Sequence, residues 1–170
     1  MLAERAPERA RTLTLLDPAF VFGVPKDATA QGLADGAAPN TLDAVRPYAE
    51  RVYARPLRTV AHEQALLREA QRANQFRGVD AMARVIVNME PVSDARLRAI
   101  GTATLLIHGT EDGVAPIEQS RRIDELLPVS RLEEVTGIGH AMQVEAPFAF
   151  LDRLRGFLEE HDGAPDAACR

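Results

Sequence analysis

Apolar residues fall into two kinds of pattern along this chain. At Thr12–Leu16 and again at Leu105-Leu106-Ile107 they run almost unbroken. Short runs of this kind suit strands buried on both faces of a parallel sheet. Arg131–Val135 is a third short strand candidate. Elsewhere the apolar positions recur three and four residues apart, the spacing of one helix face. Leu2 to Ala6 reads as a helix end closed by Pro7. Thr41 can cap a helix carrying Leu42, Val45, Ala49 and Val52, in which Pro47 is expected to kink or divide the run. A second helix is predicted over Val60–Phe76 with Leu66, Leu67 and Ala70 inward, and a third carries Val79, Met82, Val85, Ile86 and Met89 on one stripe. Ordinary helix packing is the first reading of Met82, Met89, Phe76 and Tyr53, with substrate lining as the alternative. A shorter piece covers Asp94–Ile100. Pro116 is expected in the first turn of a helix with Ile117, Ile123, Leu126 and Leu127 on its apolar side. Pro147 starts the last helix, with Phe150, Leu151, Leu154, Phe157 and Leu158 packing on the sheet. The stretches from Val21 to Asn40 and from Asp162 to Arg170 are rich in Gly, Ala, Pro and Asp and read as a loop and a frayed tail.

These elements give an α/β class and four segments: a core helix end and strand over 1–20, a loop and helical region over 21–100, a C-terminal core over 101–161, and a flexible tail over 162–170. At 170 residues, 46% hydrophobic and 26% charged, the chain is globular in type. A net charge of −5 gives no support for nucleic-acid binding, which needs a clustered basic face. The single cysteine, Cys169, excludes an internal disulfide and a cysteine-based metal site. No apolar run reaches the ~18 residues of a transmembrane helix, and the N-terminus shows no signal-peptide pattern, so a cytoplasmic location is the default expectation. No His/Asp/Glu group has metal-ligand spacing, and no cofactor is expected.

The chemistry concentrates between Ala103 and Pro147. The apolar run ending at Ile107 breaks at His108-Gly109-Thr110-Glu111-Asp112, and Arg131–Val135 is followed by Gly137-Ile138-Gly139-His140, with Glu145-Ala146-Pro147 beyond. An acid and a histidine therefore stand on two loops, each at the end of a strand. In open α/β sheets that edge is where ligands bind. Asp17, before Pro18, reads as a turn former. Glu145 is expected to cap the final helix at its positive end. His62, His108 and His161 have no partner evident in the sequence and are expected to be structural or solvated.

Gly109 to Asp112 after an apolar strand resembles the loop that carries the triad acid of the α/β-hydrolase superfamily. Gly139-His140 followed by Glu145-x-Pro147 resembles the loop that carries the triad histidine and the helix after it. Their separation of 28 residues fits one helix and one strand. Arg11 to Pro18 resembles the strand before the family's cap, and the helices from Thr41 to Met89 resemble the cap itself, loosely in its monoacylglycerol-lipase-like, esterase branch. The resemblance implies the C-terminal part of an α/β-hydrolase fold, with the last parallel strands, flanking helices and a helical cap insertion. It implies Asp112 as the orienting acid, in preference to the adjacent Glu111, and His140 as the general base.

The family's nucleophile sits in a G-x-S-x-G elbow. The three serines here, Ser93, Ser120 and Ser130, lie in no such motif, and Met1–Arg9 resembles the end of the helix that follows the elbow. The chain is therefore expected to begin just after that nucleophile and to lack the oxyanion hole. The resemblance implies a serine hydrolase acting on a carboxylic ester, a lipid or small ester, present as its C-terminal portion. A C–C bond hydrolase or thioesterase is the alternative within enzymes. A non-catalytic, truncated or partner-dependent hydrolase-derived module is the alternative outside them. Because the Thr12–Leu16 strand would be left with an open edge, self-association or an N-terminal partner is expected.

Overall fold

The computed structural model describes residues 2–24, 41–55, 59–75 and 78–162. Most of the predicted loop (residues 25–40), Phe76 and the tail from residue 163, with Cys169, lie outside the described residues. In chain order the elements are helix α1 (Leu2–Arg5), a 3-10 turn (Pro7–Arg9), strand β1 (Thr12–Leu16), helices α2 (Leu42–Val52), α3 (Val60–Gln75), α4 (Gly78–Val87) and α5 (Asp94–Arg98), strand β2 (Ala103–Gly109), helix α6 (Ile117–Leu126), strand β3 (Ser130–Val135), and helices α7 (Met142–Glu145) and α8 (Pro147–His161).

The three strands form one parallel sheet in the order β1-β2-β3. Leu15 pairs with Leu106 and Leu106 with Leu132, so one row of leucines crosses the sheet on one face. That face packs with Ala3, Leu97, Ile100, Ile123, Leu126 and Leu127, from the α1, α5 and α6 side. The opposite face, with Leu105, Ile107 and Val135, packs with Ile138, Met142 and Phe157 from the α7 and α8 side. Leu105, Leu106 and Ile107 are fully buried. The central strand reads as an unbroken apolar run because both of its faces are covered.

Several local expectations are corrected. Pro47 does not divide α2, which runs unbroken from its cap, where Thr41 Oγ1 accepts from the Ala44 amide, to Val52. Pro116 precedes α6 at its N-cap position and is not in its first turn. The stripe on α4 is not a packing face as a whole: Met82, Val85 and Met89 are exposed, and Ala83 is the residue it buries. Helix α7, a single turn before Pro147, has no counterpart among the predicted elements.

Candidate active site

Parallel pairing brings three strand ends to one edge. Leu16 pairs with Ile107 and Gly109 with Val135, so Asp17, the 109–112 loop and the 136–140 loop all emerge side by side. The loops interlock through their backbones. The Asp17 amide donates to Ile107 O, that of Thr110 to Val135 O, and that of Glu111 to Ile138 O. The glycines make this approach possible. A Cβ on Gly109 would run into the carbonyl oxygens of Ile138 and Gly139. One on Gly139 would meet Val52 O at 2.5 Å and Ala54 N at 2.7 Å. Gly137, at φ +74, supplies the left-handed residue that turns β3 into the histidine loop.

The two predicted site residues meet on this edge. His140 Nδ1 lies 2.8 Å from Asp112 Oδ2. The Asp112 side chain is 1% exposed and that of His140 28%. The other Asp112 oxygen, Oδ1, accepts from the amides of Val114 (2.7 Å) and Ala115 (2.9 Å). Burial alone would raise this carboxyl. Hydrogen bonds from His108, His140 and those two amides outweigh burial and hold it well below the usual carboxylate range. With a carboxylate accepting from Nδ1–H, the neutral imidazole presents an unprotonated Nε2. Among the described residues no polar atom is hydrogen-bonded to that nitrogen. Glu111 is exposed and contributes its amide to the loop contact.

His108 is not a solvated or partnerless residue. It is fully buried, with Nδ1 2.6 Å from Ser120 Oγ, and Nε2 2.9 Å from Ala115 O and 3.3 Å from Asp112 Oδ2. Burial disfavours its charged form, but the bonds to Asp112 and the Ala115 carbonyl outweigh it and raise its pKa. A protonated His108 donates from both nitrogens without moving. The signal for it lay in the strand alternation: Thr104, Leu106 and His108 share a face, and a histidine on a buried face needs partners. Asp17 is likewise more than a turn former. It adopts φ 44, is 3% exposed, and its Oδ1 accepts from the Gly109 amide at 3.0 Å. Its Oδ2 is buried without a partner among the described residues. Burial pushes its pKa up to about 6.

Glu145 does not cap α8, whose N-cap Ala146 has no side-chain bond. Its carboxylate instead accepts from the amides of Gly139 and Ala54. His161 is structural, with Nδ1 2.8 Å from Phe157 O and its ring 4.5 Å from that of Phe157. His62 is exposed. The serines stand elsewhere. Ser93 caps α5, Ser130 bonds to Asp124, and Ser120 is buried on His108; none is hydrogen-bonded to His140 among the described residues. Ser120, His108 and Asp112 form a serine–histidine–aspartate row, but Ser120 and His108 are fully buried and no substrate can reach that hydroxyl.

Asp17, His108 and Asp112 bring one ligand-capable atom each to within 4.8 Å of one another. Both His108 nitrogens and both Asp112 oxygens already have protein partners, so this group is a hydrogen-bonded cluster and not a vacant ligand set. Among the described residues no helix is long and apolar enough to cross a membrane.

No protein-family model matches the chain. Curated relatives do. A 2-hydroxy-6-oxo-2,4-heptadienoate hydrolase of Pseudomonas putida strain F1 is 35% identical over 90 residues, which is 53% of this chain and 30% of that protein. A putative carbamate hydrolase, RutD, of Pseudomonas savastanoi pv. phaseolicola is 35% identical over 91 residues, or 53% of this chain and 35% of that protein. The matched region thus spans about a third of these relatives' length. Among solved structures, the meta-cleavage product hydrolase CumD of Pseudomonas fluorescens IP01 superposes with a TM-score of 0.73 at 26% identity, covering 93% of this chain and 59% of that one. A thermophilic esterase gives 0.73 at 21% identity, with 96% and 62% covered, a likeness of fold.

Proposed function

The chain belongs to the α/β-hydrolase superfamily, whose C-terminal part it covers, and from that premise we propose that it supplies the acid–base half of a cofactor-independent serine hydrolase. The observation that carries the proposal is the 2.8 Å bond between Asp112 Oδ2 and His140 Nδ1 on the ligand-binding edge of the sheet. In this role Asp112 holds the Nδ1–H tautomer, His140 Nε2 takes the proton of a serine hydroxyl, and the buried carboxylate stabilises the imidazolium that results. His140 then returns the proton to the leaving group. The tetrahedral oxyanion needs amides that lie on the nucleophile's side of such a site. Helices α2 to α4 are the cap, which roofs the substrate and excludes water.

The serine and its elbow come from a segment that pairs with the open edge of β1. Among the described residues β1 has a neighbour in the sheet on one side alone. The electrophile is a carbonyl carbon of a small organic substrate, a carboxylic ester or a ketone undergoing C–C cleavage. The C–C reading gains from the names of the relatives, a 2-hydroxy-6-oxo-2,4-heptadienoate hydrolase and a meta-cleavage product hydrolase. The ester reading gains from the fold likeness to a thermophilic esterase.

Fluorophosphonate labelling tests this. The chain alone is expected to give no adduct by intact mass. The same chain extended upstream through a G-x-S-x-G elbow is expected to label at the elbow serine, and His140→Ala is expected to abolish that labelling. An adduct on the chain alone that vanishes in His140→Ala would overturn the supplied nucleophile. No adduct in either form would favour a non-catalytic, partner-dependent module. Turnover of p-nitrophenyl esters against a 2-hydroxy-6-oxo-dienoate then separates the two substrate classes.

A further inference from the structure

The carboxylate of Glu145 joins two backbone amides from distant parts of the chain. Oε1 accepts from the Gly139 amide at 2.8 Å, one residue before His140. Oε2 accepts from the Ala54 amide at 2.9 Å, just past the C-terminal end of α2 and 91 residues upstream. The same segment makes two more bonds to the site. The His140 amide donates to Val52 O at 2.7 Å, and the Gly113 amide donates to Arg51 O at 3.0 Å. Residues 51–54 thus hold the acid loop by one bond and the histidine loop by a direct bond and the Glu145 bridge.

The remaining ties of the histidine loop lie before Gly139. The Glu111 amide reaches Ile138 O and the Gly137 amide reaches Thr110 Oγ1 at 3.2 Å. Among the described residues the imidazole of His140 makes one hydrogen bond, to Asp112. The direction of Nε2 is therefore set by the backbone at residues 139 and 140, and that backbone is fixed from the α2 side. A carboxylate suits the position because it offers two acceptor oxygens and no donor. A glutamine would set an NH2 group against one of the two amides.

We propose that Glu145 is a positioning residue for His140, clamping the histidine loop to the C-terminal end of α2 so that seating of the helical block and orientation of the imidazole are a single event. This role rests on His140 being the general base, as proposed above. Its consequence for turnover is that displacement of α2 disarms the base, while Asp112 keeps its carboxylate bonds to Val114, Ala115 and His108.

Amide hydrogen exchange and imidazole proton resonances of the chain, read by NMR, test it without turnover. In Glu145→Ala the amides of Gly139, His140 and Ala54 are expected to exchange about tenfold faster or more. The Nδ1–H resonance of His140 is expected to broaden, while Leu105 and Leu106 in the central strand keep their protection. Glu145→Gln retains one acceptor and should fall between Glu145→Ala and the parent, which keeps the test usable if the alanine variant does not fold. Unchanged exchange at Gly139 and Ala54, or an unchanged His140 Nδ1–H signal in a folded variant, would overturn the clamp whatever the labelling shows. A clamp that behaves as expected beside an upstream-extended form that never labels would sink the hydrolase reading alone. In a labelling-competent extended form, Glu145→Ala is expected to lower kcat about tenfold or more with KM held, and Glu145→Gln less.

Discussion

Asp17 and Asp112 are two buried carboxyl groups at one sheet edge, pushed in opposite directions. Asp112 has four hydrogen-bond donors around it and stays ionised. Among the described residues Asp17 has the Gly109 amide alone, and burial carries its pKa from 3.8 to about 6. The folded chain therefore binds a proton at Asp17 that the unfolded chain has already released. Asp17 costs nothing below pH ~4, and its burden grows as pH rises through about 6, reaching about 3 kcal/mol at neutral pH. Asp17→Asn keeps the acceptor for Gly109 and tolerates the left-handed backbone. It should match the parent in urea near pH 4 and exceed it by about 2–3 kcal/mol at pH 7.5. A difference that stays flat across that range would refute the protonation. Asp112 contributes equally to both proteins, with the opposite sign: its stabilisation is present above pH ~4 and lost as pH falls below it. That Asp112 and His140 stand on neighbouring loops was legible in the sequence because those loops follow two strands in order, and the structure brings the two side chains to 2.8 Å. Asp17, His108 and Glu145 were not assigned their contacts, because each depends on a pairing with no local signature. Ala54, for instance, offers Glu145 a backbone amide, which every residue but proline has.

At the scale of elements, strands and terminal helices were legible because burial dictated their composition. A run such as Leu105–Ile107 can be little else when both faces are covered. Strands β1 and β2 and helix α8 appear close to where the periodicity places them, but β1 is only half-buried, and Leu151 and Leu158 of α8, expected on the sheet, are exposed. The helical block was less so. Its stripes show which residues align along a helix but not which way the helix is rolled, and α4 is rolled toward Ala83. The glycines carry a further element-level consequence. At Gly109 an added methyl meets backbone oxygen atoms, which cannot rotate away as a side chain can. Gly109→Ala should destabilise the chain by about 2–4 kcal/mol as the two loops are forced apart. Gly156, inside α8, has nothing within 4 Å of its would-be Cβ. There the same substitution should stabilise by about 0.5–1 kcal/mol through backbone entropy. Paired denaturant midpoints check both signs at once, and a Gly109→Ala variant as stable as the parent would mean the loops do not interlock.

For the molecule as a whole, among the described residues the sheet is open at β1, and exposed apolar side chains at Val144, Phe148 and Leu151 add a second sticky surface along α7 and α8. Phe148 is 81% exposed. Both features favour association with another chain. Size-exclusion chromatography with light scattering at micromolar concentration should show dimers or larger species, and a stable monomer would contradict this. The grip that residues 51–54 have on the two loops has a different consequence. Every group they contribute is a main-chain carbonyl or amide: Arg51 O, Val52 O and the Ala54 amide. Main-chain atoms are the same whatever the side chain, so the segment can be rewritten at its exposed positions, with the buried Val52 kept and proline avoided at 54, without touching the grip. A library randomised at the exposed positions of α2 and α3, with Val45, Ala49 and Val52 kept so that α2 stays seated, should leave the contacts of residues 51–54 with the two loops intact.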